Sequence, residues 1–340
     1  MVIEMKKEEI NKLFELLKNH KVYIQTHNFP DSDAIGSAYG LQQLLKYHGI
    51  ESHLCYVGSI ERSSLQNMIK MLPIQFATYD EINHMSQDDY VVTVDGQKYN
   101  TNLTDLSGYE IACIDHHPTV FDYNYQYKDI RIVGACSTLI TQYYIETNTP
   151  MNEMVATALL YGLQVDTANL TRGVTTLDID MFSYLYQKAN TQLIYHISKS
   201  SMELSDLKAY GAAIESIHLY GRTGFAYIPF DCPNALIAMV ADFILALQEI
   251  NFCVIYSYRK NGLKFSVRSG LPHQLDAGNV VQKALVTLNG NGGGHSTMAG
   301  GFLSYRELEK TGITQDHWDG IIEESFLKQL QHSEGEMYND

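Results

Sequence analysis

Apolar residues fall into two rhythms along this chain. Up to about residue 190, short continuous apolar runs at 22–26, 52–57, 90–94 and 111–114 alternate with stretches at 33–49 and 61–71 whose apolar positions recur at helical spacing. Helical patterns then follow at 136–146, 153–163 and 176–188. Strand and helix alternating at this spacing predict parallel βαβ units, hence an α/β fold with a doubly wound, mainly parallel sheet. Residues 191–206 are polar enough to serve as a connection. Beyond them the pattern predicts a helix at 204–217, a strand at 225–230 and a helix at 236–247. A hairpin at 252–258 and 263–268, turned at Asn261-Gly262, and a helix at 278–286 complete a second, smaller α/β domain. The expected organisation is therefore a first domain at 1–190, a linker at 191–206 and a second domain at 207–332, with frayed residues after it.

Polar residues with chemistry sit where the apolar runs stop. The first run is followed by His27-Asn28-Phe29-Pro30-Asp31-Ser32-Asp33, the run at 90–94 by Asp95, and the run at 111–114 by Asp115-His116-His117. The apolar stretch at 156–165 ends in Asp166-Thr167. In a sheet buried on both faces, ligands bind outside the carboxyl ends of the strands, so these residues would converge on one crevice. Carboxylates and imidazoles without thiolate suit Mn²⁺, Mg²⁺, Fe²⁺ or Zn²⁺. Asp31 or Asp33 can also act simply as the N-cap of the following helix, which Gly49 would end as a C′ residue.

Composition narrows the classes. No stretch of about 18 apolar residues runs uninterrupted and the N-terminus has no apolar leader core, which predicts a soluble, unsecreted, cytoplasmic protein with no membrane partner. Five widely spaced cysteines without a Cys-x-x-Cys pair read as reduced core thiols. A net charge of −15 argues against coating long nucleic acid, while a small anion remains compatible because metal ions supply local positive charge. Arg259, Lys260, Lys264 and Arg268 form a basic cluster in the second domain, readable as a solvated hairpin or as a phosphate clamp.

The order His-x-x-x-Asp-x-Asp, then Asp95, Asp-His-His and Gly-x-x-x-Asp-Thr (Gly162 to Thr167) resembles the DHH phosphoesterase superfamily. The run Asn291-Gly292-Gly293-Gly294-His295-Ser296-Thr297-Met298-Ala299-Gly300-Gly301, preceded by Lys264-Phe265-Ser266-Val267-Arg268-Ser269, resembles the DHH-associated C-terminal domain. Together they span roughly residues 15–305, and size and C-terminal type are most similar to the nanoRNase/pAp phosphatase group. That group's cytosolic enzymes release 5′ mononucleotides from very short oligonucleotides and dephosphorylate 3′-phosphoadenosine 5′-phosphate (pAp).

The resemblance implies two Mn²⁺ ions, with Mg²⁺, Fe²⁺ or Co²⁺ as substitutes. His27, Asp31 and Asp95 would hold one ion, and Asp33, Asp95, His116 and Asp166 the other, with Asp95 as the bridge. Such ions, roughly 3.5–4 Å apart, activate a shared water for in-line displacement. His117 would contact the phosphate as general acid or electrostatic partner, and Asp115 would orient a neighbouring histidine. Arg268, the glycines Gly292, Gly293 and Gly294 as an amide nest, His295, and the Ser137 hydroxyl would grip the nucleotide, and a homodimer is possible. In many members the second motif continues with a hydroxyl residue and a nearby arginine, whereas here Asp95 is followed by Gly96-Gln97-Lys98-Tyr99-Asn100. Alternatives are hydrolysis of linear or cyclic dinucleotides or another small phosphoester, and a nucleotide-binding regulator without turnover.

Overall fold

The structure, a computed structural model, describes residues 7–60, 62–82, 85–199, 202–314 and 317–336, with side chains to residue 331. The chain divides into two units between Ser201 and Met202. In the first, strands β1 (Val22–Thr26), β2 (Ser52–Tyr56), β3 (Phe76–Thr78), β4 (Tyr90–Val94), β5 (Tyr109–Asp115) and β6 (Tyr127–Ile130) form one parallel sheet. Their order is β3-β2-β1-β4-β5-β6, so the winding reverses between β1 and β4. All five residues of β1 are buried, which is why its sequence is continuous rather than alternating. In doubly wound sheets ligands bind where the order reverses, which here is at the carboxyl ends of β1 and β4.

Helices α1 (Lys7–Leu17), α2 (Ser32–Tyr47), α3 (Ser63–Met71), α4 (Cys136–Glu146), α5 (Glu153–Asp166), α6 (Thr176–Tyr186) and α7 (Thr191–Lys199) cover this sheet and one another. The contact between α2 and α5 is close because small residues meet there: a Cβ on Gly162 would lie 2.9 Å from the Cα of Asp33. That approach brings the end of α5 beside the start of α2. The α7 helix replaces most of the connection expected at 191–206: Ile194 and Ile197, one turn apart, are buried in the first core and hold it helical. Residues 200 and 201 of that stretch lie outside the described residues.

The second unit is a mixed sheet of β7 (His218–Tyr220), β8 (Thr223–Ile228), β9 (Phe252–Arg259), β10 (Gly262–Ser269), β11 (Asn291–Gly294) and β12 (Met298–Ser304). Its order is β11-β12-β10-β9-β8-β7, antiparallel except for β8 with β9. The helices are α8 (Leu207–Ser216), α9 (Asn234–Leu245), α10 (Ala277–Thr287), α11 (Tyr305–Lys310) and α12 (Trp318–Glu336). Phe225, Tyr256, Phe265 and Phe326 fill one core with α10 and α12, while Val240, Ile244 and Ile255 fill another with α8 and α9.

Two expectations need correction here. Arg259 pairs with Gly262, so the hairpin loop is Lys260-Asn261, one residue earlier than the Asn-Gly pattern suggested. The glycine run at 292–294 is no nest-forming turn but strand β11, because small residues let α10 lie against it: a Cβ on Gly292 would collide with Val281. All five cysteines, Cys55, Cys113, Cys136, Cys232 and Cys253, are buried and free. Among the described residues no helix is long and apolar enough to cross a membrane.

Candidate metal centre

Each candidate ligand hangs from the end of an element fixed by the first core. His27 leaves β1, Asp31 and Asp33 start α2, Asp95 leaves β4, Asp115 ends β5 with His116 and His117 following, and Asp166 is the last residue of α5. Asp31 caps α2: its Oδ1 accepts from the amides of Asp33 (2.9 Å) and Ala34 (3.1 Å). Capping and proximity to His27 coexist, since His27 Nε2 lies 4.0 Å from the same oxygen. Asp95 sits in the left-handed region at φ 57°, a conformation aspartate tolerates better than most residues, and its amide donates to Ile114 O.

The ligand atoms form overlapping groups, each within 4.8 Å: His27, Asp31 and Asp95; Asp33, His116 and Asp166; and Asp95, Asp115, His116 and His117. His116 Nε2 stands 3.2 Å from Asp95 Oδ1, 3.3 Å from Asp166 Oδ2 and 4.0 Å from Asp33 Oδ2. His27 Nε2 stands 3.6 Å from Asp95 Oδ2. Nδ1 of His27 donates to Asn28 O (2.9 Å) and Nδ1 of His116 to Val133 O (3.0 Å), which leaves both Nε2 atoms facing the carboxylates. His116 Nε2 and Asp95 Oδ1 are buried without a hydrogen-bond partner. Two orphaned polar atoms facing each other among four carboxylates are what a site for divalent cations requires, and the donor set fits such ions.

Burial, and after it the carboxylates of Asp95 and Asp166, push Asp33 up to about 8. Burial likewise pushes Asp166 up to about 6, against the pull of His116 and Arg172. For Asp95 the burial effect is overcome by His116, His27 and His117, which hold it down at about 2. Burial alone would lower His116 and His27, but their carboxylate neighbours raise both. The centre thus carries more negative charge than it can hold without protons or cations.

Asp115 is fully buried; its Oδ1 accepts from His117 Nδ1 (2.9 Å) and from the His116 amide (2.9 Å), and its Oδ2 from Gln97 Nε2 (2.6 Å). The bond to Asp115 is the main reason His117 is shifted towards its charged form, and His117 is 43% exposed at its side chain. Ser137, expected to offer its hydroxyl to substrate, is instead fully buried at the start of α4. Its Oγ pairs with Ser37 Oγ (3.2 Å), and its amide, with that of Cys136, donates to Asp33 at 2.9 and 2.6 Å. It therefore positions a ligand rather than meeting solvent.

Sequence reasoning missed Asp178. This buried carboxylate in the first turn of α6 accepts from Gly134 N (2.9 Å), Thr138 Oγ1 (2.6 Å) and Thr175 N (2.7 Å). It fixes the loop whose Val133 carbonyl orients His116 and whose Cys136 and Ser137 amides orient Asp33. A Thr-x-x-Asp capping box at 175–178 was the available signal.

In the second unit, Lys264, Ser266, Arg268, Gly293 and Gly294 line a cavity of about 290 Å³ with Asn234 and Met298. His295 is exposed and is not part of that lining. The arginines are not a free cationic clamp: Arg268 pairs with Asp242 and Arg259 with Asp231. The acids come from the 231–242 segment, distant in sequence, which is why the hairpin alone looked unpaired.

The fold and the centre define a two-unit α/β protein with an acidic, divalent-cation type site at the switch point of a doubly wound sheet. Residues 21–163 match the DHH family, N-terminal domain, and residues 222–312 match the DHHA1 domain; the chain belongs to the DHH family. It is 28% identical over 286 residues to an uncharacterised protein of Methanocaldococcus jannaschii, covering 83% of this chain and 58% of that one. A Streptococcus thermophilus protein assigned as a manganese-dependent inorganic pyrophosphatase is 25% identical, over 56% of this chain and 66% of its own length. Cyclic-di-AMP phosphodiesterase GdpP of Bacillus subtilis is 27% identical, over 68% of this chain and 38% of its own length. The chain thus spans less than two thirds of each of these relatives. The crystal structure of an exopolyphosphatase-related protein from Bacteroides fragilis shares the fold, with TM-score 0.77 at 17% identity, covering 98% of this chain and 99% of that one.

Proposed function

We propose that this protein is a di-metal phosphoesterase that hydrolyses small nucleotide phosphoesters, with short oligoribonucleotides and pAp as its substrates and Mn²⁺ as its metal. The observation that carries the reading is the pair of orphaned, buried atoms, His116 Nε2 and Asp95 Oδ1, amid four carboxylates at the switch point. His27, Asp31 and Asp95 would hold one ion, and Asp33, Asp95, His116 and Asp166 the other. When bound, such ions supply an activated water and neutralise charge on the phosphoryl group. The chain's own residues do the rest. Nδ1 of His117 is committed to Asp115, which leaves Nε2 to carry the proton destined for the leaving oxygen. Gln97 fixes the other oxygen of Asp115 and keeps that imidazole in place. In the second unit, the cavity lined by Lys264, Ser266, Gly293 and Gly294, with Arg268 held by Asp242, would take a nucleotide.

A second reading, hydrolysis of cyclic dinucleotides, is favoured by the similarity to the cyclic-di-AMP phosphodiesterase. A Mn²⁺-supplemented assay on pAp, 5′-labelled dinucleotides, cyclic-di-AMP and a long RNA separates them. Turnover of pAp and dinucleotides but not of long RNA supports the first reading. Turnover confined to cyclic-di-AMP replaces it with the second, and no turnover with any divalent ion sinks both.

A further inference from the structure

Beyond the ligands themselves, one cation stands at the rim of the centre. Immediately after Asp166-Thr167, three consecutive non-glycine residues adopt left-handed backbone: Ala168 (φ 48°), Asn169 (φ 55°) and Leu170 (φ 64°). Such strain persists only where the surroundings over-determine it, and it collects at functional sites. Here the surroundings are explicit. Asn169 N donates to Gln164 O (2.7 Å), Thr171 N and Arg172 N both donate to Thr167 O (2.9 Å each), and Leu170 N donates to Thr167 Oγ1 (3.1 Å). Thr167 itself is buried and ties its hydroxyl to Leu163 O (2.6 Å).

The product of this turn is the placement of Arg172. Its Nε (3.0 Å) and Nη2 (2.5 Å) both donate to the main-chain carbonyl of Asp166, and Nη2 lies 3.4 Å from Asp166 Oδ1. The guanidinium is therefore anchored on a neutral acceptor, beside a candidate ligand whose other oxygen faces His116. Nη1 makes no hydrogen bond among the described residues, and the side chain is 42% exposed. Among the described residues it is the one lysine or arginine within 4.0 Å of the carboxylates of Asp31, Asp33, Asp95 or Asp166.

We propose that Arg172 is a catalytic residue: its Nη1 hydrogen-bonds the phosphoryl oxygens of the substrate, and the left-handed turn at 168–170 exists to hold it there. This rests on the phosphoesterase reading of the same centre. A guanidinium with one edge pinned and the other free matches phosphate geometry, and at a centre this acidic it offsets charge as negative charge builds on the phosphoryl group.

The test compares wild type with R172A and R172K. Three readouts are taken: kcat and KM on the best substrate of the panel, calorimetric affinity for Mn²⁺, and affinity of the Mn²⁺-loaded protein for 5′-AMP. For R172A the expected result is a fall in kcat on the order of 10²–10³-fold with Mn²⁺ affinity and melting temperature unchanged. Binding of 5′-AMP weakens about tenfold, and added methylguanidine restores part of the activity to R172A alone. R172K keeps the charge but not the fork and recovers only a minor part. If R172A keeps its kcat, or loses it through weaker Mn²⁺ binding that excess Mn²⁺ reverses, Arg172 is a loop anchor and the proposal falls. If wild type turns over nothing while 5′-AMP binding still depends on Arg172, the anion contact stands and the phosphoesterase reading falls.

Discussion

Asp95 concentrates the demands of the centre in one residue. It belongs to two of the three ligand groups, is buried, carries an orphaned oxygen and occupies left-handed backbone. Asparagine is the substitution that tolerates this backbone and keeps the shape while removing the charge. We expect Asp95→Asn to keep the fold in chelator, yet to lose hydrolysis on the order of 10³-fold in Mn²⁺-supplemented kinetics. Residual turnover near wild type would show that Asp95 is not a ligand. Protonation makes a second prediction. Asp33, pushed up to about 8, and Asp166, pushed up to about 6, keep protons in the folded chain that the unfolded chain releases near pH 4. His116, raised by its carboxylates, acts in the same direction, while the contribution of Asp95, held down at about 2, is complete by then. The metal-free protein should therefore lose stability as pH rises from about 5 to 8, and saturating Mn²⁺ should flatten that slope by displacing the protons. Melting curves across that range, with chelator and with Mn²⁺, check it; a metal-free protein that gains stability towards pH 8 would contradict the charge balance described here.

At the scale of elements, legibility followed burial. Strands β1 and β4 and helix α4 were readable to the residue, because each is a largely apolar run or a helix-spaced pattern buried over most of its length in the first core. Strands β3, Phe76–Thr78, and β6, Tyr127–Ile130, were missed because edge strands carry few apolar positions, and only pairing with β2 and β5 makes them strands. The glycine strand β11 was unreadable for the opposite reason: its residues are chosen for the helix that presses on them, and that helix is invisible locally. In the site, the six candidate ligands stood out because they end apolar runs, whereas Arg172 is anchored on a backbone carbonyl that leaves no sequence pattern and Asp178 leaves only a capping box at 175–178. Asp178 gives the element-scale prediction. Asp178→Ala should free the start of α4 and weaken Mn²⁺ affinity ~10–100-fold with no direct contact to the ions. It should also lower stability by about 1–3 kcal/mol for donors left unpaired. Calorimetric titration and denaturant melts read both; unchanged Mn²⁺ affinity would mean the loop at 133–137 holds its shape unaided.

Over the whole molecule, charge and ligation are unevenly distributed. The chain carries −15, yet every candidate ligand lies between residues 27 and 166, all in the first unit. Ligand binding stabilises only the part that binds, by about 2.7 kcal/mol at a hundredfold excess over Kd. The buried cysteines turn that into a readable quantity, since three lie in the first unit (Cys55, Cys113, Cys136) and two in the second (Cys232, Cys253). In mild denaturant with a thiol reagent, Mn²⁺ should slow modification of the first three and leave the other two unchanged, as mass spectrometry of the labelled peptides would report. Equal slowing at all five would show that the units open together. Burial of these sulfurs also means the protein needs no engineered probe for its own breathing. Cys136, whose amide holds Asp33, reacts only when the start of α4 has come away, so its labelling half-life times how often the centre opens, a clock for ion exchange built into the chain.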